Sequence, residues 1–316
     1  MKTPELALVG DVGGTNLRIG VATIDRETGR AVMVDQYENV STPNDPDLFF
    51  HAMGDAIFRK IELFPELRDG AVGFPGPVDI QPNGTTVGPL TNIAFKEKFN
   101  LGERLVAAHP GLSGFDFHAF NDAEAATFAA PFVPGVSNPE NPSPIVYVTQ
   151  STGIGMSVIR EHQIAERLTG WLGEYGHIPM LQPDGSYETL ENLISGPAIE
   201  RRYGLGADGE HRTVQDLGKL TTPEGKKIWE EVGRTFARGI APLIPIIAPS
   251  DLVIGGGVSK DGDQYLKFFM DELQSAVSSL PKGMDTMPTV SFVPPKEVGT
   301  FGLIGARHAL EQARKA

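Results

Sequence analysis

Three glycine turns and a few carboxylates hold the chemistry available to this sequence. Asp11 precedes Gly13-Gly14-Thr15-Asn16. Paired glycines in a tight turn let the backbone approach a ligand, and exposed N–H groups, with the Thr15 hydroxyl, can cradle an anion. The same residues also make an ordinary β-hairpin. About half a chain later the pattern returns as Ser151-Thr152-Gly153-Ile154-Gly155. Two such clamps could grip one polyphosphate from opposite sides, or be unrelated hairpins. Gly255-Gly256-Gly257-Val258 would let a flat ring approach the backbone, although strand-to-helix turns use glycine routinely. Asn121-Asp122 puts a carboxylate where strand passes into helix, the place of a catalytic base and equally of an N-cap. Glu174 and His177 can reach a small polar ligand; with Glu191 they could instead suggest a metal, but as a metal set they lack HExxH-type spacing and any cysteine. Pro75-Gly76-Pro77-Val78-Asp79 is a rigid turn able to present backbone groups, and Asn92 is a further polar candidate.

These residues need strands and helices to position them. The apolar alternation from Leu8 to Val21 predicts two strands around the first turn, and Ala22 to Val40 continues as strand, turn and strand. Asp47 to Phe64 has helical spacing and should pack one face on that sheet. Ala71 to Phe74 and Asp116 to Phe120 read as strands, Gly84 to Asn92 as turn and loop, and Leu101 to Ala108 and Ala123 to Ala130 as helices. After a loop rich in Pro, Asn and Ser, Ile145 to Thr149 and Met156 to Ile159 are strands flanking the second turn. Ser195-Gly196-Pro197 starts a helix. Helical spacing recurs over Gln215 to Leu220 and Glu224 to Ile247, where Pro242 and Pro245 should kink or end it. Asp251 to Ile254 and Thr289 to Val293 are strands; Asp263 to Leu280 and Phe301 to Lys315 are helices.

A chain of 316 residues suggests about two domains. With 27 Lys+Arg against 40 Asp+Glu, the formal charge of -13 opposes binding to nucleic acid or anionic lipid. The absence of cysteine excludes disulfides and thiolate metal sites. The opening residues MKTPELALVG are too short in apolar run for a signal peptide, and Gly239 to Ala248 is too short and proline-broken to span a bilayer. The expectation is a soluble cytoplasmic protein with neither nucleic acid nor membrane as partner.

Taken together, DVGGTN from Asp11, GFPGPVD from Gly73, Asn121-Asp122, STGIG from Ser151, GEYGH from Gly173 with Glu191 and Ser195-Gly196, and GGGV from Gly255 resemble, in order and over essentially the whole chain, the motifs of the ROK (repressor, open reading frame, kinase) and bacterial glucokinase branch of the actin-like sugar kinases. The resemblance implies a two-lobed α/β fold, actin-like and ribonuclease H-like, each lobe a mixed sheet flanked by helices. The small lobe would span 1–117, with a closing helix at 301–316 returning to it, and the large lobe 118–300. It implies ATP and Mg²⁺, a hexose substrate with glucose favoured, and a homodimer. By the same resemblance, Asp11, Gly13, Gly14, Thr15, Asn16, Ser151, Thr152 and Gly153 hold phosphates, with Asp11 positioning Mg²⁺ through water, and Gly255, Gly256 and Gly257 take adenosine. Gly76, Asn92, Asn121, Glu174, His177 and Glu191 would bind the sugar, and Asp122 would accept the proton of its 6-hydroxyl. A carboxylate of ordinary acidity is a weak base at neutral pH, so that transfer should come late.

Two departures stand out. The cysteine cluster that binds structural zinc in many members is absent, so His177 is expected at the sugar, and 184–187 should be ordered by packing. Glu124 and Phe128 stand where small residues are expected. The family's repressors carry an N-terminal DNA-binding helix-turn-helix; with the first clamp this early in the sequence, none is expected here. Mannose, fructose and N-acetylmannosamine as substrates, polyphosphate as donor, and an actin-like ATPase are the alternatives.

Overall fold

A computed structural model of the chain describes residues 5–81, 84–88, 90, 95–137, 143–161, 163–164, 174–206, 209–261 and 263–315. Two compact units result, Met1–Phe132 with Thr300–Ala316, and Val133–Gly299.

The first unit holds strands β1 (Ala7–Val12), β2 (Asn16–Ile24), β3 (Ala31–Met33), β4 (Glu38–Ser41), β5 (Asp69–Phe74), β6 (Val78–Gln81), β7 (Gly84–Val87), β8 (Phe99–Asn100) and β9 (Asp116–Asn121). Its helices are α1 (Pro46–Leu63), α2 (Leu101–Ala108), α3 (Asp122–Thr127) and the closing helix Phe301–Ala313. The main sheet runs β3-β2-β1-β5-β9, with β4 also paired to β2. The hairpin β1–β2 is antiparallel, whereas β1, β5 and β9 are parallel. Period-2 alternation explains the two faces of this sheet. Leu8, Leu17, Ile19 and Val72 join Phe49, Phe50, Met53 and Ile57 of α1 in one core. On the other face, Ala7, Val9, Ala22 and Ala71 meet Leu303, Ala306 and Leu310 of the closing helix. Small residues there let that helix come close. Its Gly305 lies so near α3 that an added Cβ would stand 2.2 Å from the Ala125 carbonyl oxygen.

The second unit contains β10 (Ile145–Gln150), β11 (Ile154–Arg160), β12 (Gln163–Ile164), β13 (Pro179–Leu181), β14 (Tyr187–Thr189), β15 (Asp251–Gly255) and β16 (Thr289–Phe292). Its helices are α4 (Leu190–Ile194), α5 (Gly196–Tyr203), α6 (Val214–Gly218), α7 (Pro223–Ile240), α8 (Leu243–Ile247) and α9 (Asp263–Ser278). Its sheet runs β12-β11-β10-β15-β16. The plan repeats that of the first sheet: an antiparallel hairpin, then two parallel strands. Val146, Val148, Leu252 and Ile254 pack on Trp229, Phe236, Tyr265 and Phe269 of α7 and α9.

Several expectations change. The division falls after Phe132, not at 117/118, because β9 pairs with β5 and α3 packs on the closing helix. Gly84–Val87 is a strand rather than loop. The helix expected over 123–130 ends at Thr127, ahead of Pro131. Pro242 separates α7 from α8, as its missing N–H requires. The segment 184–187 is ordered by a hairpin turn rather than packing. The Asp184 carboxylate accepts from the Ser186 hydroxyl at 2.6 Å and N–H at 2.9 Å, which in that order hold its pKa below the usual range, while Tyr187 is 67% exposed.

Buried His308 on the closing helix makes the first unit acid-sensitive. Its Nε2 accepts the Ala31 N–H at 3.0 Å, which requires that nitrogen to be unprotonated, and its ring stacks on Phe132. Burial first, then the positive charges of Arg307 and Arg30, push its pKa down to about 4, against a smaller opposing pull from Glu311. A depressed folded pKa gives stability that is present above the unfolded value near 6.5 and lost as pH falls from there toward about 4. The loss reaches about 3 kcal/mol. Denaturant midpoints at pH 7.5 and 5 should therefore separate more in the wild type than in His308→Gln; equal separations would exclude this origin.

Candidate functional site

Parallel strands in each unit end at one edge of their sheet, the edge where open α/β sheets take ligands. In the first unit Asp11 lies at the end of β1, opposite Arg18 in the hairpin and beside Gly73 of β5. Arg18 Nη1 donates to Asp11 Oδ2 at 2.9 Å. On the other side of the carboxylate is Gly302, in the first turn of the closing helix. An added Cβ there would stand 3.0–3.2 Å from the carboxylate atoms, and the positive end of the helix favours the negative charge.

The turn after β1 is closed by the Gly13 N–H donating to the Asn16 carbonyl at 2.8 Å. Thr42, just after β4, holds it from outside: its hydroxyl donates to the Gly13 carbonyl at 2.8 Å and its N–H to the Thr15 carbonyl at 3.0 Å.

Asp122 begins α3, and Gly73 is the reason it can approach. A Cβ on Gly73 would stand 3.3 Å from the Asp122 Cα. Asp122 is half-buried, and its Oδ1 accepts the Ala123 N–H at 2.8 Å. Asn121 is committed at both ends of its amide. Its oxygen caps α3 through Ala123 and Glu124, while Nδ2 donates to the Gly76 carbonyl at 3.1 Å. Thus Asp11, the first turn, Gly76, Asn121 and Asp122 gather at one sheet edge. Asn92 lies outside the described residues.

In the second unit the Ser151–Gly153 turn joins β10 to β11. The Ser151 N–H donates to the Gly153 carbonyl, and its own carbonyl accepts the Gly196 N–H at the start of α5, each at 2.8 Å. Glu191 on α4 reaches this turn, its Oε2 accepting the Ile154 N–H at 2.9 Å. Glycines let that oxygen come close: an added Cβ would stand 2.7 Å from it at Gly153 and 3.1 Å at Gly176, and at Gly176 also 2.5 Å from the Ile154 carbonyl oxygen. Glu174 and His177 flank Tyr175, with carboxylate and ring nitrogen 3.8 Å apart and both side chains open to solvent. The Tyr175 hydroxyl donates to the Gly239 carbonyl, and burial raises its pKa.

The third turn is built onto the second. The carbonyl of Gln150, the last residue of β10, accepts the Val258 N–H at 3.0 Å. The Gln150 amide, fully buried, donates to the Ile194 carbonyl and accepts from the Tyr265 hydroxyl. Gly256 crosses above it at φ +98°. Gly257, by contrast, opens onto empty space, with nothing within 4 Å of an added Cβ.

Thr42, Arg18 and Gln150 escaped the sequence reading. A polar residue closing an apolar strand, as Gln150 does, is one local signal; Arg18 meets Asp11 across the β1–β2 hairpin, seven residues apart, whereas the partners of Thr42 and Gln150 are set by pairing between more distant segments.

No helix among the described residues is long and apolar enough to cross a membrane. A family model described as ROK family matches residues 8–313. A glucokinase of Streptomyces coelicolor is 26% identical over 94% of both chains. A xylose repressor of Caldicellulosiruptor bescii is 22% identical over 75% of this chain and 63% of its own. The crystal structure of a ROK family glucokinase from Streptomyces griseus, in complex with glucose and AMPPNP, superposes with a TM-score of 0.75 at 23% identity, covering 99% of this chain and all of that one. The structural likeness is one of fold: two mixed sheets flanked by helices, the actin-like arrangement of sugar kinases.

Proposed function

Because the chain belongs to the ROK family of sugar kinases and their relatives, we propose that it is a cytoplasmic hexokinase transferring the γ-phosphoryl group of ATP to the 6-hydroxyl of a hexose, with glucose favoured. The observation that carries the reading is the carboxylate of Asp122, brought to the same sheet edge as Asp11 and the first glycine turn through Gly73. Phosphoryl transfer asks the protein mainly for alignment and charge stabilisation. In the first unit, Asp122 accepts the sugar proton as negative charge develops on the attacking oxygen, and the Gly13–Asn16 turn donates N–H groups to phosphate. In the second unit, the Ser151–Gly153 turn takes phosphate and the Gly255–Gly257 loop takes adenosine. Gly76, Asn92, Asn121, Glu174, His177 and Glu191 hold the sugar hydroxyls.

The donor set suits Mg²⁺, a hard ion that keeps most of its waters beside one or two carboxylates and substrate phosphates. Asp11 would hold it through water, and the charge it supplies would offset that of the phosphates.

The test is ADP release measured for glucose, mannose, fructose and N-acetylmannosamine, each with ATP or polyphosphate. Hexose-dependent release, highest in kcat/KM for glucose, is expected. Release without sugar would replace the reading by an ATPase. Sugar binding without transfer would favour a non-catalytic sensor, the reading that similarity to a xylose repressor supports. A homodimer is the expected assembly, to be checked by light scattering.

A further inference from the structure

We infer that Thr42 is a positioning residue for phosphate, acting by fixing the orientation of the Gly13–Gly14 peptide. The inference rests on the phosphate role proposed above for the first glycine turn.

A clamp made of two glycines has a built-in weakness. Without Cβ atoms, the backbone can approach phosphate closely, but either glycine takes positive or negative φ with similar ease. The peptide between them is therefore cheap to flip. Flipped, it presents a carbonyl oxygen where an anion requires an N–H, turning an attractive contact into a repulsive one.

The structure supplies the restraint from a different strand. The Thr42 hydroxyl donates to the Gly13 carbonyl at 2.8 Å, and the Thr42 N–H donates to the Thr15 carbonyl at 3.0 Å. In a trans peptide the C=O of one residue and the N–H of the next point in opposite directions. Holding the Gly13 carbonyl toward Thr42 thus aims the Gly14 N–H away from Thr42. That N–H, and the N–H of Thr15, have no acceptor among the described residues. The carbonyls of Gly13, Thr15 and Asn16 all accept from protein donors, so the turn keeps its donors for a ligand.

Thr42 is itself firmly seated. It is 8% exposed and directly follows β4, whose Ser41 pairs with Asn16 of β2. The restraint comes from the sheet rather than from within the turn. Valine matches threonine in shape and keeps the backbone N–H, so Thr42→Val removes only the hydroxyl that orients the peptide.

The test compares wild type, Thr42→Val and Thr42→Ser in binding AMPPNP, adenosine and glucose by calorimetry. The loss of a hydrogen bond to a charged group predicts AMPPNP binding about 10-fold to 100-fold weaker in the valine variant. Adenosine and glucose should bind unchanged, and serine should restore AMPPNP binding to within about threefold of wild type. Equal AMPPNP affinity in the valine variant overturns the inference. So does a parallel loss of adenosine affinity, which marks a general structural defect. Thr42→Ala, measured alongside, decides the matter if valine does not fold. Should wild type bind AMPPNP in a Thr42-dependent manner yet phosphorylate no hexose, the proposed function falls and the inference stands. A wild type that binds no nucleotide overturns both.

Discussion

Replacing Asp122 with alanine is expected to lower kcat by about 10²-fold to 10⁴-fold, the usual contribution of a positioned acid–base group, with glucose affinity nearly unchanged. The environment of Asp122 allows chemistry and folding to be separated. The cap of α3 is supplied by Asn121, whose oxygen accepts from Ala123 and Glu124, and not by Asp122 alone. Loss of the Asp122 carboxylate removes one acceptor for the Ala123 N–H and a favourable charge in the first helical turn, about 0.5–1 kcal/mol. Asn121→Ala should instead lower both stability and sugar affinity, since Asn121 is also proposed to hold a sugar hydroxyl, while leaving the proton acceptor in place. It removes the cap and leaves the Gly76 carbonyl without its donor, costing about 1–2 kcal/mol. Single-turnover phosphorylation with thermal unfolding of both variants separates the two roles. Near-normal turnover by Asp122→Ala would remove it from the chemistry.

What the sequence reveals and what it hides divide along the range of the interactions. The hairpin around Gly13 is local: alternating apolar residues on either side of a glycine turn define it, and β1–β2 has that register. The long helix α1 is equally local, started by Asp45 as N-cap with Pro46 in its first turn. The end of α7 near Pro242 follows from a missing N–H. The short elements α4 and β13–β14 were not apparent, because three to five residues carry too little periodicity to register. Their existence matters, since α4 brings Glu191 to the second glycine turn. The family resemblance puts Glu191 at the sugar; its bond to the Ile154 N–H arises only when residues 37 apart are folded together. The division after Phe132 was hidden for the same reason, as β9 joins the first sheet by pairing with a strand more than forty residues earlier.

The two neighbouring glycines of the third turn should respond in opposite ways to one added methyl group. At Gly256, φ is +98°, and a Cβ would stand 2.3 Å from the Gln150 carbonyl oxygen. That carbonyl has little room to yield, because it accepts the Val258 N–H and its residue is tied through its side chain to Ile194 and Tyr265. Backbone strain and overpacking together give a cost of about 3–5 kcal/mol for Gly256→Ala. At about 2–4 °C per kcal/mol, the transition of this unit should fall by roughly 10 °C. Gly257→Ala should leave that transition within about 1 °C, for φ is ordinary and the added methyl meets nothing within 4 Å. The open space is where the proposed adenosine would lie, so the same methyl should raise KM for ATP about 10-fold without altering that for glucose, as one poorly accommodated group does in a binding pocket. Calorimetric scans and nucleotide titrations of both variants decide the assignment. Unchanged ATP affinity in a stable Gly257→Ala protein would mean that the loop is needed for the fold of the second unit but does not face the nucleotide.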